Sequence, residues 1–244
     1  MVDVEPLSST APALRPPVLM NQDWRDLTFL HWAVEPDRVA HLMPPGVRPD
    51  VHDDGATYVG LVPFRMVDAG PGRRARVPWL GSFLETNVRL YSRDARGRRG
   101  VVFLSLDADR LLVVLGARAG FAVPYRWARM SHAEVEGVHT YRATLRWPGA
   151  RASSEVSVRV GAAREATPLD HFVSERWRLH TSVLRRPVAV HNTHETWPLH
   201  DAEVVRLDDG LLGSVGFHDL AGRAPDHVAF SPGVHAQLGL PRPV

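Results

Sequence analysis

The chain has 244 residues, 29 basic against 27 acidic side chains, a formal charge of +2 and 44% hydrophobic residues, which is the composition of a soluble globular protein. It contains no cysteine and every basic residue is arginine, so disulfides, thiol chemistry and a Schiff-base lysine are all excluded. The longest uninterrupted apolar run, Leu111–Leu115, is far short of the ~20 residues of a membrane helix. An N-terminus carrying Asp3 and Glu5 does not read as a secretory signal, so a cytoplasmic location with no membrane partner is expected.

Residues 1–19, rich in Pro, Ser and Ala, read as a flexible leader, and 20–244 as a single domain. A strand is expected over Leu27–Val34, then a short helix opened by Glu35-Pro36 and ended by Pro44-Pro45-Gly46. Asp53-Asp54-Gly55 marks a turn before a strand at Ala56–Val67. Val101–Leu106 and Leu111–Arg118, apolar on both faces, read as strands joined by Asp107-Ala108-Asp109. Short strands continue at Val123–Met130, Val138–Trp147 and Ser153–Val160. The clearest helix is Pro168–His180, with Thr167 as N-cap, Pro168 at the first position and Asp170 at the positive end of the dipole. Strands at Val188–Val190, Ala202–Leu207 and Leu211–Phe217 follow, and the chain closes at Ser231-Pro232-Gly233-Val234. Many short strands with few helices predict a mainly β, barrel-like antiparallel fold.

The stretch Ser82–Tyr91 separates with a period of two. Phe83, Glu85, Asn87, Arg89 and Tyr91 fall on one face; Leu84, Thr86, Val88 and Leu90 fall on the other. A strand with one greasy and one solvated face is the ordinary reading. The alternative is a barrel lumen, where an acid, an amide and a base between aromatics would receive a small polar ligand.

Other candidate sites are weaker. His191, His194 and His200 lack the i, i+4 spacing of a zinc helix, and no metal or cofactor is expected. The arginine clusters Arg73–Arg76 and Arg93–Arg99 sit in glycine-containing loops and read as solvated charge, with no nucleic-acid partner. No nucleophile elbow, P-loop or dinucleotide fingerprint is present.

The segment Ala117-Arg118-Ala119-Gly120-Phe121-Ala122-Val123-Pro124-Tyr125-Arg126-Trp127-Ala128 resembles the signature of acetoacetate decarboxylases, with Glu85 upstream in the place of that family's pocket glutamate. Further landmarks resemble the YqjF-like branch of that superfamily, a domain of unknown function. They are Phe29-x-His31-Trp32, Glu85-x-Asn87-Val88-Arg89-x-Tyr91, Phe103–Asp107, Pro124-Tyr125, Glu175-Arg176, Trp197-Pro198-Leu199 and Ser231-Pro232-Gly233. The resemblance covers about residues 20–236. It implies an α+β variant of a β-barrel or cone with a few helices outside. The family's Schiff-base lysine falls at Tyr125, the next lysine at Arg126, and the glutamate after Arg118 has become Ala119.

The resemblance thus implies the decarboxylase pocket without its nucleophile. Its interior is expected to present Phe83, Glu85, Asn87, Arg89, Arg118 and Tyr125. Glu85 and Tyr125 would be the acid/base pair, with Arg118, Asn87, Arg89 and Phe83 binding the substrate. The expected function is binding of a carbonyl- or carboxylate-bearing small molecule, with lysine-independent acid/base chemistry if there is turnover. A non-catalytic ligand-binding or structural role is the alternative, and the sequence leaves room for a homo-oligomer. Arg118 is expected to hold Glu85 ionised, with Arg126 pointing away from the pocket.

Overall fold

The computed structural model describes residues 3–121 and 123–244, without the Phe121 side chain. Two positions of the signature, Phe121 and Ala122, and the N-terminal amine therefore lie outside the described residues.

Strand β1 (Val18–Val34) is followed by helix α1 (Pro36–Ala40), a short β2 (Val47–Pro49) and β3 (Thr57–Pro71). Then come β4 (Phe83–Asp94), β5 (Arg99–Ala108), α2 (Leu111–Phe121), β6 (Tyr125–Val135), β7 (Val138–Leu145) and β8 (Ser153–Arg164). Helix α3 (Pro168–Ser174) leads to β9 (Arg178–Val183), β10 (Arg186–His194) and β11 (Leu199–Asp209). A one-turn α4 (Leu211–Ser214) precedes the long β12 (His227–Pro243).

Two strands fork. β5 has β4 on one edge, and on the other first β9, through Val101↔Leu179, and then β6, through Leu106↔Tyr125 to Ala108↔Trp127. β12 has β1 on one edge, and on the other first β11, through His200↔Phe230, and then β10. The forks divide the 12-stranded sheet into two closed rings. The seven strands β5, β4, β3, β1, β12, β10 and β9 form one; the nine strands β5, β6, β7, β8, β11, β12, β1, β3 and β4 form the other. Pairing is antiparallel except for β5 with β6 and β5 with β9. The fold is thus mainly β with few helices, as the strand-rich sequence predicts.

The alternation of the shared strands sends one set of side chains into each ring. Leu30, Trp32, Val88, Leu90 and Val158 belong to a core that fills the larger ring. Phe29, Val62, Phe64 and Phe83 belong to a second cluster that lines the smaller one. Both faces of β4 are therefore covered, and the solvated-face alternative for Ser82–Tyr91 does not apply.

Several expected elements change. The apolar run 111–118 is helix α2, not a strand: Val114 is fully buried, while Leu112 and Leu115 are 61% and 50% exposed. A short apolar run has no periodicity that separates strand from helix, and Leu and Ala here favour the helix. The run 211–217 likewise holds α4. Helix α3 has the expected capping box, with Thr167 and Asp170 each bonding the other's backbone N–H, but stops at Ser174. Glu175 leaves helical geometry, and buried Trp177 belongs to the turn into β9.

Beyond Val234 the chain continues as β12, which runs unbroken through Pro232-Gly233. Gly233 has φ +127°, and a Cβ there would meet Trp24 O at 2.0 Å, so glycine lets β12 pass tightly against β1. At the other end β1 begins at Val18, and the segment before it lies against the body. Glu5 accepts from Arg178 at 2.6 Å, and Trp177 donates to Ser8 O at 3.1 Å.

Candidate functional site

The smaller ring encloses a cavity of about 540 Å³. Phe83, Glu85, Asn87 and Arg89 of β4 line it, together with Tyr125 at the start of β6. Tyr125 follows Pro124, and the strand alternation turns Arg126 to the opposite side. There Arg126 grips Asp107 through two hydrogen bonds, of 2.6 and 2.8 Å, and donates to Ser214 Oγ at 3.0 Å.

Glu85 and Tyr125 meet directly. The phenol Oη donates to Glu85 Oε2 at 2.6 Å. Glu85 is 3% exposed, and this burial pushes its carboxyl up to about 7. Hydrogen bonds from Tyr125 and Asn87 pull the other way, and the charge of Asp107 adds to the rise. Burial raises the Tyr125 phenol well above its ordinary value, with the adjacent Glu85 charge second. The pair is a near-neutral carboxyl holding a neutral phenol.

Arg118 is not part of this arrangement. It is exposed on α2, donates to the Tyr125 carbonyl at 2.8 Å and lies over the Trp147 ring at 4.8 Å. The expected Arg118–Glu85 pairing is therefore corrected. Among the described residues no guanidinium neutralises Glu85, and desolvation is the largest effect on it, so its pKa rises instead of falling.

The cationic groups collect at the far end of the cavity. Arg176 and Arg178 line it as well, and Arg176 lies 5.1 Å from the Tyr91 ring that Arg89 faces at 5.7 Å. Tyr91 pairs with Val101, which pairs with Leu179, so Arg178 stands across β5 from the part of β4 beyond Tyr91. Buried Asp50 forms an ion pair with Arg93 at 2.9 Å and accepts hydrogen bonds from Arg176 at 2.6 Å and from Arg99. The cluster Arg93–Arg99 is thus partly an internal ion network and not simply solvated charge. Four arginines (93, 99, 176 and 178) meet two carboxylates, Asp50 and Glu5, among the described residues, and Arg89 has neither as a partner. Arg176 Nη2 and Arg178 Nε, both buried, have no hydrogen-bond partner.

Arg89 is held from behind by a chain of hydrogen bonds whose direction is determined by its ends. Arginine can only donate, so Nε gives its proton to Tyr91 Oη at 3.1 Å, and Tyr91 in turn donates to His31 Nε2 at 2.6 Å. His31 Nδ1 then donates to His227 Nδ1 at 2.9 Å, and His227 Nε2 donates to the Asp170 carboxylate at 2.8 Å. Burial keeps His31 neutral by lowering its pKa well below 6.5, which this pattern requires.

Two of the histidines weighed as ligands, His194 and His200, have separate surroundings. His194 lines the cavity, 4.4 Å from Trp177 and 4.8 Å from Trp197, and burial depresses it to about 4. His200 lies 3.2 Å from Gly161 O. Sequence reasoning missed Arg176, Arg178 and His194 as lining residues; Arg176 stands among the family landmarks, which is the one available signal.

A β-ring around an apolar cavity, with a buried carboxyl in its wall, places the chain in the acetoacetate decarboxylase-like fold. It superposes on the acetoacetate decarboxylase of Legionella pneumophila with TM-score 0.65 at 13% identity, over 96% of this chain and 92% of that one. The enduracididine biosynthesis enzyme MppR, in complex with pyruvate, gives 0.62 at 17% identity over 94% and 91%. An acetoacetate decarboxylase-like enzyme from Sphingomonas wittichii RW1 gives 0.63 at 12% identity over 94% of each. Within that fold, the chain belongs to the DUF2071 family, described as an uncharacterised conserved protein, whose model matches residues 21–235. It is 31% identical over 188 residues to YqjF of Bacillus subtilis strain 168, covering 76% of each chain.

Proposed function

We propose that the protein binds a small carbonyl- or carboxylate-bearing molecule in the smaller ring. Any turnover is proton transfer by Glu85, partnered by Tyr125, without a Schiff base. The observation that carries this reading is the 2.6 Å Tyr125–Glu85 hydrogen bond inside a mostly apolar cavity. A carboxyl held at about 7 can both give and take a proton near neutral pH, which is the requirement for a general acid/base. The neutral phenol can turn from Glu85 to a ligand oxygen when the carboxyl is protonated. The pyruvate held by the structurally similar MppR has the chemistry expected of such a ligand.

The lysine-free composition supports the second half of the reading, since no side-chain amine can attack a carbonyl. Mass spectrometry of small molecules released from the purified protein identifies the ligand class, and calorimetry measures its affinity. Tyr125→Phe weakens binding by roughly 1–3 kcal/mol, the cost of leaving a buried polar group unpaired. Borohydride with pyruvate or acetoacetate labels no residue of the ring. Substrate-dependent labelling there, or unchanged affinity in Tyr125→Phe, overturns the assignment.

A further inference from the structure

The two polar ends of the cavity are far apart. Glu85 and Arg89 face one lumen with Asn87 between them, and at about 3.4 Å per residue their Cα atoms stand roughly 13 Å apart. Arg89 leans further away, because its Nε bonds Tyr91 Oη at 3.1 Å and its Nη2 bonds Val173 O at 3.2 Å. A carboxylate seated on Arg89 and Arg176, whose guanidiniums lie 5.7 and 5.1 Å from the same Tyr91 ring, is therefore out of reach of the Glu85–Tyr125 pair. In pyruvate or acetoacetate the carboxylate and carbonyl are too close together to occupy both ends.

What lies between is apolar. Val62, Phe83 and Leu106 line the lumen, and about 540 Å³ is space for a ligand of drug size, far more than a three- or four-carbon acid fills. Val77 and Leu112 line the cavity yet are 37% and 61% exposed, and Trp79 nearby is 68% exposed. These residues make an apolar entrance on the side of α2. At the far end, a buried arginine donor without a partner, Arg176 Nη2, marks a place where an anion is still wanted.

Resting on the small-molecule reading above, we propose that the ligand is an elongated amphipathic keto acid. Its carboxylate sits at the arginine end, its hydrocarbon body lies along the apolar wall, and its carbonyl, remote from the carboxylate, meets Tyr125 and Glu85. Arg89 and Arg176 are the residues that choose this class over short 2- or 3-oxo acids.

The test is calorimetry at pH 7 on the full chain with 9-oxodecanoate, acetoacetate and the uncharged ketone 2-decanone. The expected result is that 9-oxodecanoate binds at least tenfold more tightly than either of the others. Arg89→Gln then loses at least tenfold for 9-oxodecanoate and less than twofold for 2-decanone, a split that general damage to the cavity does not produce. The comparison on the unaltered protein decides the matter even where Arg89→Gln fails to fold. Acetoacetate binding as tightly as 9-oxodecanoate overturns this inference and leaves the small-molecule reading standing. So does 2-decanone matching the keto acid. Binding of none of the three overturns both.

Discussion

Glu85 carries a cost that can be measured. Its carboxyl stands at about 7 in the folded chain against 4.5 when unfolded, because burial disfavours the charged form. The folded protein therefore holds a proton that the unfolded chain has released between these values. The sign follows: stability from this residue is fully present below 4.5 and is lost as pH rises through about 7. A shift of this size corresponds to roughly 3 kcal/mol. Glu85→Gln, which keeps the acceptor for Tyr125 without the charge, is expected to match the natural protein at about pH 4, below the unfolded value of 4.5. It should exceed it by up to that amount at pH 9 in urea denaturation. Equal pH profiles for the two proteins would mean that water reaches the carboxyl and the pair is not dry.

The elements differ in how plainly their residues announce them. The two faces of β4 are readable because period two is visible in ten residues, and the same alternation assigns Tyr125 and Arg126 to opposite sides. Helix α2 is not readable: Leu111–Leu115 carries the same apolar pattern whether it covers a cavity as a helix or crosses it as a strand. The arginine end is hidden for another reason. Arg176 meets the Tyr91 ring that Arg89 also faces through contacts between distant segments, among them the single β5–β9 pair and the Arg176–Asp50 ion pair. Nothing local in the sequence encodes it. Strand β12 is disguised by Pro232-Gly233, which is a turn signal in isolation and a close crossing in place. Helix α3 is the opposite case, since Thr167, Pro168 and Asp170 declare its start. Thr167→Ala removes the side-chain acceptor for the Asp170 N–H and is expected to cost about 1 kcal/mol in denaturant unfolding. A loss below a few tenths would show that Arg164 and His227 hold Asp170 well enough without the cap.

At the scale of the molecule, buried histidines outweigh Glu85 in the response to acid. Burial lowers His180 and His194 from 6.5 to about 4, and lowers His31 well below 6.5. A depressed folded value means stability that is fully present above 6.5 and is lost as pH falls through about 4. Glu85 acts in the reverse direction over 4.5 to about 7, and the burial-raised carboxyls of Asp107, Asp109, Glu175 and Asp209 act with it. Against them stand six lowered histidines among the described residues, His31, His132, His139, His180, His191 and His194. The midpoint of urea unfolding is therefore expected to fall steadily between pH 6.5 and pH 4, and a flat or rising midpoint would contradict the buried, neutral assignment of these rings.

The forked strands have a consequence for the order of assembly. Both rings include β1, β3, β4 and β5, which are made early, and both include β12, which is made after every other strand. On the ribosome, the hairpins between β1 and β11 can pair with one another, yet neither circle is complete until residues 227–243 emerge. The lumen that would receive a ligand and the packed interior beside it are therefore born together, in one late closing event. A nascent chain stalled before that point would expose two unsealed edges to its neighbours.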